Sequence, residues 1–318
     1  VADPRSPRAG HSGATWERIR EDRVVKYQIR HTTRYAYSEP VPVCHNQVHL
    51  APRSLSHQTC HEFKLLVSPA PVERRRREDF YGNQVDYFSI HEPHTGLTIT
   101  ADSLVEVEEP KWPQPTRTLG WESVASYQRF GTDPQRLQAC GFTVPSRYVP
   151  LHRMFGDYAR PSFPPGRPLL DAVLDLTSRI HTEFRYDPRA TTIHTRLADV
   201  FALRAGVCQD FAHLQIACLR SIGLAARYVS GYLRTLPPPG KPRLVGADAS
   251  HAWLSIYCGP DGWVDIDPTN NCLISTDHIT VAWGRDYSDV CPIQGVVIGG
   301  GDHSMSVSVD VEAKEMVA

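Results

Sequence analysis

The chain has 318 residues, 41% hydrophobic and 22% charged, enough for more than one domain and a substantial core and too apolar for global disorder. Its 34 Lys plus Arg against 35 Asp plus Glu leave a net charge of −1, so no basic surface marks nucleic acid or an anionic membrane as partner. No apolar run reaches the roughly 18 residues of a membrane-spanning helix, residues 1–13 lack the apolar stretch of a secretory signal, and the eight cysteines are scattered rather than clustered, so reduced thiols and a cytoplasmic location are the expectation.

Residues 1–23, charged and containing Pro and Gly, read as a flexible tail. Apolar–polar alternation over 25–30 and 97–107 predicts strands, and the run 63–67, ended by Ser68-Pro69, predicts another. Gly82-Asn83 marks a turn into a further strand. The region 24–110 is therefore expected to be a β-rich domain. Within it, Arg74 to Arg77 lie between Glu73 and Glu78-Asp79 and predict a solvated hairpin or loop. Pro110, Pro113 and Pro115 mark a boundary, and 111–167 reads as a connecting region with one helix at most.

From 168 to 318 the pattern changes to a core of helices followed by strands, with two further strands near the C-terminus. Apolar residues at helical spacing from Leu170 to Ile180 predict a helix with one buried face. A second helix follows Cys208 and stops at Gly223. Strands are expected over 226–233, 251–257 and 263–266, and again over 295–298 and 305–311. Helices followed by antiparallel strands predict an α+β domain.

Three local features carry chemistry. In Gly206-Val207-Cys208-Gln209-Asp210 a glycine turn runs into a helix, placing Cys208 in the first turn. Unpaired N–H groups and the positive end of the helix dipole favour a thiolate there and can stabilise an oxyanion. A buried structural thiol is the ordinary alternative for a cysteine, and Cys218, deep in the same apolar helix, fits it. His251 opens the strand face opposite Ala252, Leu254 and Ile256, where it could take the thiol proton and later protonate a leaving amine. One histidine among 15 is not special by itself. Asp265 and Asp267 lie two apart, hence on one face of a strand, and either could orient His251.

These residues, in the order Cys208, His251, Asp267, resemble the transglutaminase-like core. Gly206 to Phe211, Ala226 to Tyr232, Ser250 to Trp253 and Asp267 to Asn270 resemble its flanking motifs. Tyr27 to Tyr35, Asp79 to Asn83 and Gly284 to Val290 resemble the bacterial members that carry an N-terminal β domain, so the likeness spans about 24–312. The resemblance implies a papain-like core, with the nucleophile helix packed on an antiparallel sheet. It also implies a Cys208–His251–Asp267 triad, Asp267 being chosen over Asp265 because the family's Asp precedes Pro. Acyl transfer through a thioester follows, by a hydrolase or a transferase, with a peptide or protein substrate and in some members an amine co-substrate. No cofactor and no metal is implied for that chemistry. The alternative reading is a non-catalytic member of the fold that binds another protein.

Other residues complete the list. Cys44, His45, His49, His57, Cys60 and His61 crowd together as zinc ligands might, but their spacing fits no standard zinc pattern. Arg285-Asp286-Tyr287 is read as lining the cleft, with a structural turn as the alternative. Tyr186 and Tyr228 are further cleft candidates, and no second oxyanion donor is identified.

Overall fold

The structure is a computed structural model that describes residues 23–129, 133–235 and 249–314, so all but the last residue of the expected tail lies outside the described residues. The N-terminal strands are β1 (Val24–Val41), β2 (Val43–Val48), β3 (Gln58–Ser68), β4 (Glu73–Glu78), β5 (Gln84–Ile90) and β6 (His94–Glu108). Then come the helices α1 (Trp121–Arg129), α2 (Pro134–Cys140), α3 (Arg153–Ala159) and α4 (Leu169–Glu183). The chain continues through β7 (Arg185–Tyr186), α5 (Leu197–Leu203), β8 (Ala205–Gly206), α6 (Cys208–Ser221), β9 (Ala226–Leu233), β10 (Ala249–Tyr257), β11 (Trp263–Asp267), β12 (Cys272–Leu273) and β13 (His278–Gly284). It ends with α7 (Tyr287–Val290), β14 (Ile293–Ile298) and β15 (His303–Lys314). No helix among the described residues is long and apolar enough to cross a membrane.

The N-terminal strands form two antiparallel four-stranded sheets, ordered β15-β1-β6-β3 and β14-β2-β5-β4. Alternation along each strand turns Leu65, Leu97 and Ile99 of one sheet and Cys44, Val48, Phe88 and Ile90 of the other into a shared core. The arginine run lies in β4, at a sheet edge, where Arg74 and Arg76 reach across to the buried Asp86 carboxylate at 3.3 and 3.0 Å. Charges on an edge strand oppose pairing with another chain.

The C-terminal strands differ from expectation. They do not extend the core from 168 onward but complete the N-terminal sheets: β15 pairs with β1 from Lys26↔Lys314 to Tyr37↔His303, and β14 pairs with β2. Without them β1 and β2 would present unpaired backbone edges. The connecting region also differs, holding α1, α2 and α3 rather than one helix at most. These helices run only two or three turns and bury few residues each, such as Val124, Ala139 and Phe155, too few for a visible period. Asp133 caps α2 by accepting Arg136 N–H at 3.1 Å, with Pro134 in its first turn.

The second unit is a five-stranded antiparallel sheet, β12-β11-β10-β9-β13, with α6 packed on the face presented by Tyr228, Ala252, Leu254 and Ile256. Helix α6 is buried all round from Asp210 to Arg220, as expected of a helix enclosed between other helices and a sheet. The outer edge of β13 is closed by side chains of the β domain. Gln58 bonds both Thr280 N–H and C=O at 2.8 Å, and Asn83 does the same to Trp283 at 3.0 and 2.8 Å. Beside them the Arg53 guanidinium lies 3.5 Å from the Trp283 ring centre, and Arg227 stacks between Trp283 (3.7 Å) and Trp263 (4.3 Å).

Candidate active site

Cys208 opens α6. Val207 precedes it with extended backbone, φ −116°. Asp210, three residues into the helix, reaches back so that its Oδ2 accepts Val207 N–H at 2.9 Å and the Thr191 hydroxyl at 2.6 Å. Burial raises the Asp210 pKa against the pull of those two bonds. Gly206 is required by this cap, because a Cβ there would stand 2.6 Å from Asp210 Oδ2. The first-turn N–H groups of Cys208 and Gln209 have no acceptor inside the helix, which leaves donors beside the thiol.

His251 and Asp267 come from adjacent strands. The β10–β11 register, Leu254↔Ile266, makes them diagonal neighbours on one sheet face. His251 Nε2 lies 2.8 Å from Asp267 Oδ2 with both side chains buried, and the Cys208 sulfur acts on the same ring, helping it to hold its proton. With Nε2 turned to the carboxylate, Nδ1 is the nitrogen left for sulfur. The other aspartate on this face, Asp265, instead accepts Trp253 Nε1–H at 3.1 Å. The structure thus brings Cys208, His251 and Asp267 together.

Electrostatics follow from burial and pairing. Burial alone would strip His251 of its proton, but the Asp267 carboxylate overcomes it, the Cys208 sulfur adds to it, and the His251 pKa rises well above its ordinary value. Burial likewise opposes ionised Asp267, yet His251 and His278 hold its pKa far below the usual carboxylate range. None of the eight cysteines is in a disulfide. Cys208 is half-buried, whereas Cys218 and Cys258 are enclosed and burial pushes their thiol pKa values well up.

Several contributors were not legible in the sequence. Asp267 is held by five donors: Thr269 N–H (2.9 Å) and Asn270 N–H (3.2 Å) at Oδ1, and His251, the Asn270 amide (2.6 Å) and His278 Nε2 (3.2 Å) at Oδ2. Asn270 follows Asp267 in a tight turn, so a side-chain amide three residues on was a usable signal. His278 starts β13, two strands beyond β10 in the sheet, and nothing local marks it. Gly231 lies between them, where a Cβ would stand 2.4 Å from the Trp253 ring; its absence lets that indole lie across β9, edge-on to His278 at 5.4 Å.

Among the described residues, the one group of three or more potential metal ligands is His251, Asp267 and His278, with ligand atoms within 4.8 Å. Their hydrogen bonds already use those atoms. Ser275 N–H points at His278 Nδ1 (3.3 Å), which puts the His278 proton on Nε2, facing Asp267. A metal ligand needs that lone pair free, so the cluster reads as a hydrogen-bond network. The crowded N-terminal Cys and His residues disperse by strand alternation: Cys44 turns inward to Asn46, His45 outward to Tyr87, His49 to the Cys291 carbonyl and His61 to Glu106.

The Arg285-Asp286-Tyr287 loop is braced from within, and the Tyr287 ring packs edge-on to Tyr228 at 6.4 Å. Asp286 is fully buried, caps α7 through Ser288 N–H (2.8 Å) and accepts Tyr148 N–H (2.8 Å), while Arg285 pairs with Asp289 at 2.9 Å. Tyr186 sits opposite Gly206 in the β7–β8 pair, its ring 6.4 Å from Phe211. Tyr228 is buried against His213 at 4.8 Å. Burial, with Cys208 adding, raises its pKa and keeps the phenol protonated.

Residues 27–106 match the bacterial transglutaminase-like N-terminal region, and 158–268 match the transglutaminase-like superfamily. An uncharacterized protein of Mycobacterium tuberculosis is 43% identical over 296 residues, covering 90% of this chain and 92% of that one. A protein-glutamine gamma-glutamyltransferase of Pseudomonas aeruginosa is 28% identical over 153 residues, 45% of this chain and 23% of that protein. The crystal structure of a provisionally named cysteine protease from Cytophaga hutchinsonii superposes with a TM-score of 0.72 at 22% identity, covering 92% of each chain, and so shares the fold. With a superfamily core joined to the matching N-terminal region, the chain belongs to the bacterial transglutaminase-like family.

Proposed function

We propose that the chain is a cysteine-dependent acyl-transfer enzyme acting on amide or peptide bonds through a thioester on Cys208. The observation that carries this reading is the buried 2.8 Å His251–Asp267 pair, whose imidazole proton the Cys208 sulfur helps to hold. His251 Nδ1 takes the thiol proton, and the sulfur attacks the carbonyl carbon. The oxyanion forms beside the free N–H groups of the first α6 turn. As the tetrahedral intermediate collapses, His251 returns the proton to the departing ammonia or amine, leaving the thioester. His251 then deprotonates water or a primary amine, which attacks the thioester and frees the thiol. Asp267 keeps the His251 ring in the required tautomer and stabilises its cation.

Water as second acceptor gives a hydrolase; an amine gives a transferase. The glutamyltransferase named among the relatives supports the second over part of the chain. A glutamine-containing peptide incubated with and without a primary amine separates them by mass: incorporation marks a transferase, whereas deamidation or cleavage without it marks a hydrolase. Iodoacetamide labelling with peptide mapping tests the nucleophile. Cys208 should react far faster than enclosed Cys218 at neutral pH, and Cys208→Ala should abolish turnover. Equal labelling of the two, with turnover surviving in Cys208→Ala, would refute the proposal.

A further inference from the structure

We infer that His278 is a positioning residue for this site: its Nε2–H donates to Asp267 Oδ2 and sets how strongly His251 holds its proton. The inference rests on the functional reading above. The His278 ring is buried and its orientation is fixed from both sides. Ser275 N–H occupies Nδ1 at 3.3 Å, Asp267 Oδ2 faces Nε2 at 3.2 Å, and the Trp253 indole packs edge-on at 5.4 Å. An N–H aimed at one ring nitrogen and a carboxylate at the other admit one neutral tautomer, with the proton on Nε2.

The consequence lies in how Oδ2 is shared. Three donors converge on that single oxygen, from His251, Asn270 and His278. Each donor stabilises the carboxylate charge and withdraws some of it from the others. The His278 proton therefore keeps Asp267 ionised while weakening its grip on the His251 proton. That balance matters because His251 must give the proton up to the leaving amine, and an imidazolium bound too tightly is a poor acid. Thr269 and Asn270 N–H groups anchor Oδ1 independently, so the carboxylate stays in place if His278 is changed. The other groups nearby are engaged elsewhere: Asp265 with Trp253, Asp277 with Arg234 at 3.8 Å, and His181 with the Thr269 carbonyl at 3.0 Å. Cys208 is the remaining titratable group at the His251 ring.

The test reads the pH dependence of Cys208 alkylation by iodoacetamide, followed by peptide mapping, in the intact protein and in His278→Leu and His278→Gln. Leucine removes the donor and keeps an apolar contact for Trp253; the glutamine amide can restore an N–H. In His278→Leu the alkaline limb, where His251 loses its proton, should move up by about half to one pH unit, and His278→Gln should bring it back. A folded His278→Leu with an unmoved limb would overturn the inference, as would equal shifts in both variants. Nitrogen-15 spectra of histidine-labelled wild type give a readout needing no apolar variant, with His278 assigned by its loss in His278→Gln. A ring carrying its proton on Nε2 is expected, and an Nδ1–H tautomer overturns the inference. Turnover surviving in Cys208→Ala would overturn the functional reading and this inference with it, whereas an unmoved limb in a folded His278→Leu overturns this inference alone.

Discussion

Replacing Gly206 with alanine puts a Cβ 2.6 Å from Asp210 Oδ2 and 2.9 Å from Asp210 Cβ. Gly206 is not among the positive-φ glycines, so the backbone tolerates alanine and the collision alone is tested. Asp210 must turn away, releasing Val207 N–H and the Thr191 hydroxyl. Loss of a helix N-terminal cap costs about 1 kcal/mol. Leaving half-buried partners unsatisfied adds about 1–3 kcal/mol. The sum is about 2–4 kcal/mol, which at about 2 °C per kcal/mol lowers Tm by roughly 4–8 °C in a chain of this size. Because the displaced turn carries Cys208, its alkylation at neutral pH should slow as well. Thermal unfolding and iodoacetamide kinetics on Gly206→Ala, Asp210→Ala and the double variant make the cycle. With the carboxylate already gone, the added methyl should cost less than in wild type, because only its 2.9 Å contact with the residue-210 Cβ remains. Strict additivity of the two changes, or a Gly206→Ala protein melting within about 1 °C of wild type, would refute this account of the turn.

Three further outcomes are expected. His251 has its folded pKa raised to about 10, so the stabilisation it draws from Asp267 is whole below its unfolded value of about 6.5 and disappears as pH rises through about 10; the Tm gap between wild type and His251→Gln should narrow from pH 6 to pH 10, and a widening gap would contradict this. His31 is the opposite case: burial lowers its pKa to about 4, the unfolded chain takes up the proton first, and stability should fall by up to about 3 kcal/mol as pH drops from 6.5 to 4. Denaturant unfolding of His31→Gln should show a flatter acid dependence than wild type, and an equally steep one would exclude His31 as the source. Asn83→Ala strips two bonds from the β13 edge and should cost about 1–3 kcal/mol, with faster hydrogen exchange at the Trp283 amide; unchanged exchange would mean the edge is closed by something else.

The elements around the nucleophile were legible because their causes are local. Helical spacing from Phe211 to Leu219 and the stop at Gly223 predict α6, and the runs 226–233, 251–257 and 263–266 predict β9 through β11 as strands. A glycine followed two residues later by a cysteine at a helix start suggested the nucleophile, although the reason for the glycine, the room taken by Asp210, is a packing fact. Resemblance in the flanking motifs, rather than periodicity, separated Asp267 from Asp265. Two carboxylates two residues apart share a strand face, and only the diagonal register with β10 turns one to His251 and the other to Trp253. The destinations of β14 and β15 were hidden because a strand's own residues specify that it needs a partner, not which edge is open some 250 residues away. His278 was hidden for the same reason: its ring acquires a role only when the sheet brings β13 back to Asp267, with Gly231 leaving the room between them. What the sequence determined by itself is therefore the elements around the candidate nucleophile, α6 with β9 to β11, and the position of Cys208 at the start of α6. Which side chains converge on Asp267, and which strands seal the β domain, were decided by tertiary structure, because both depend on long-range register and on space left by residues distant in the chain.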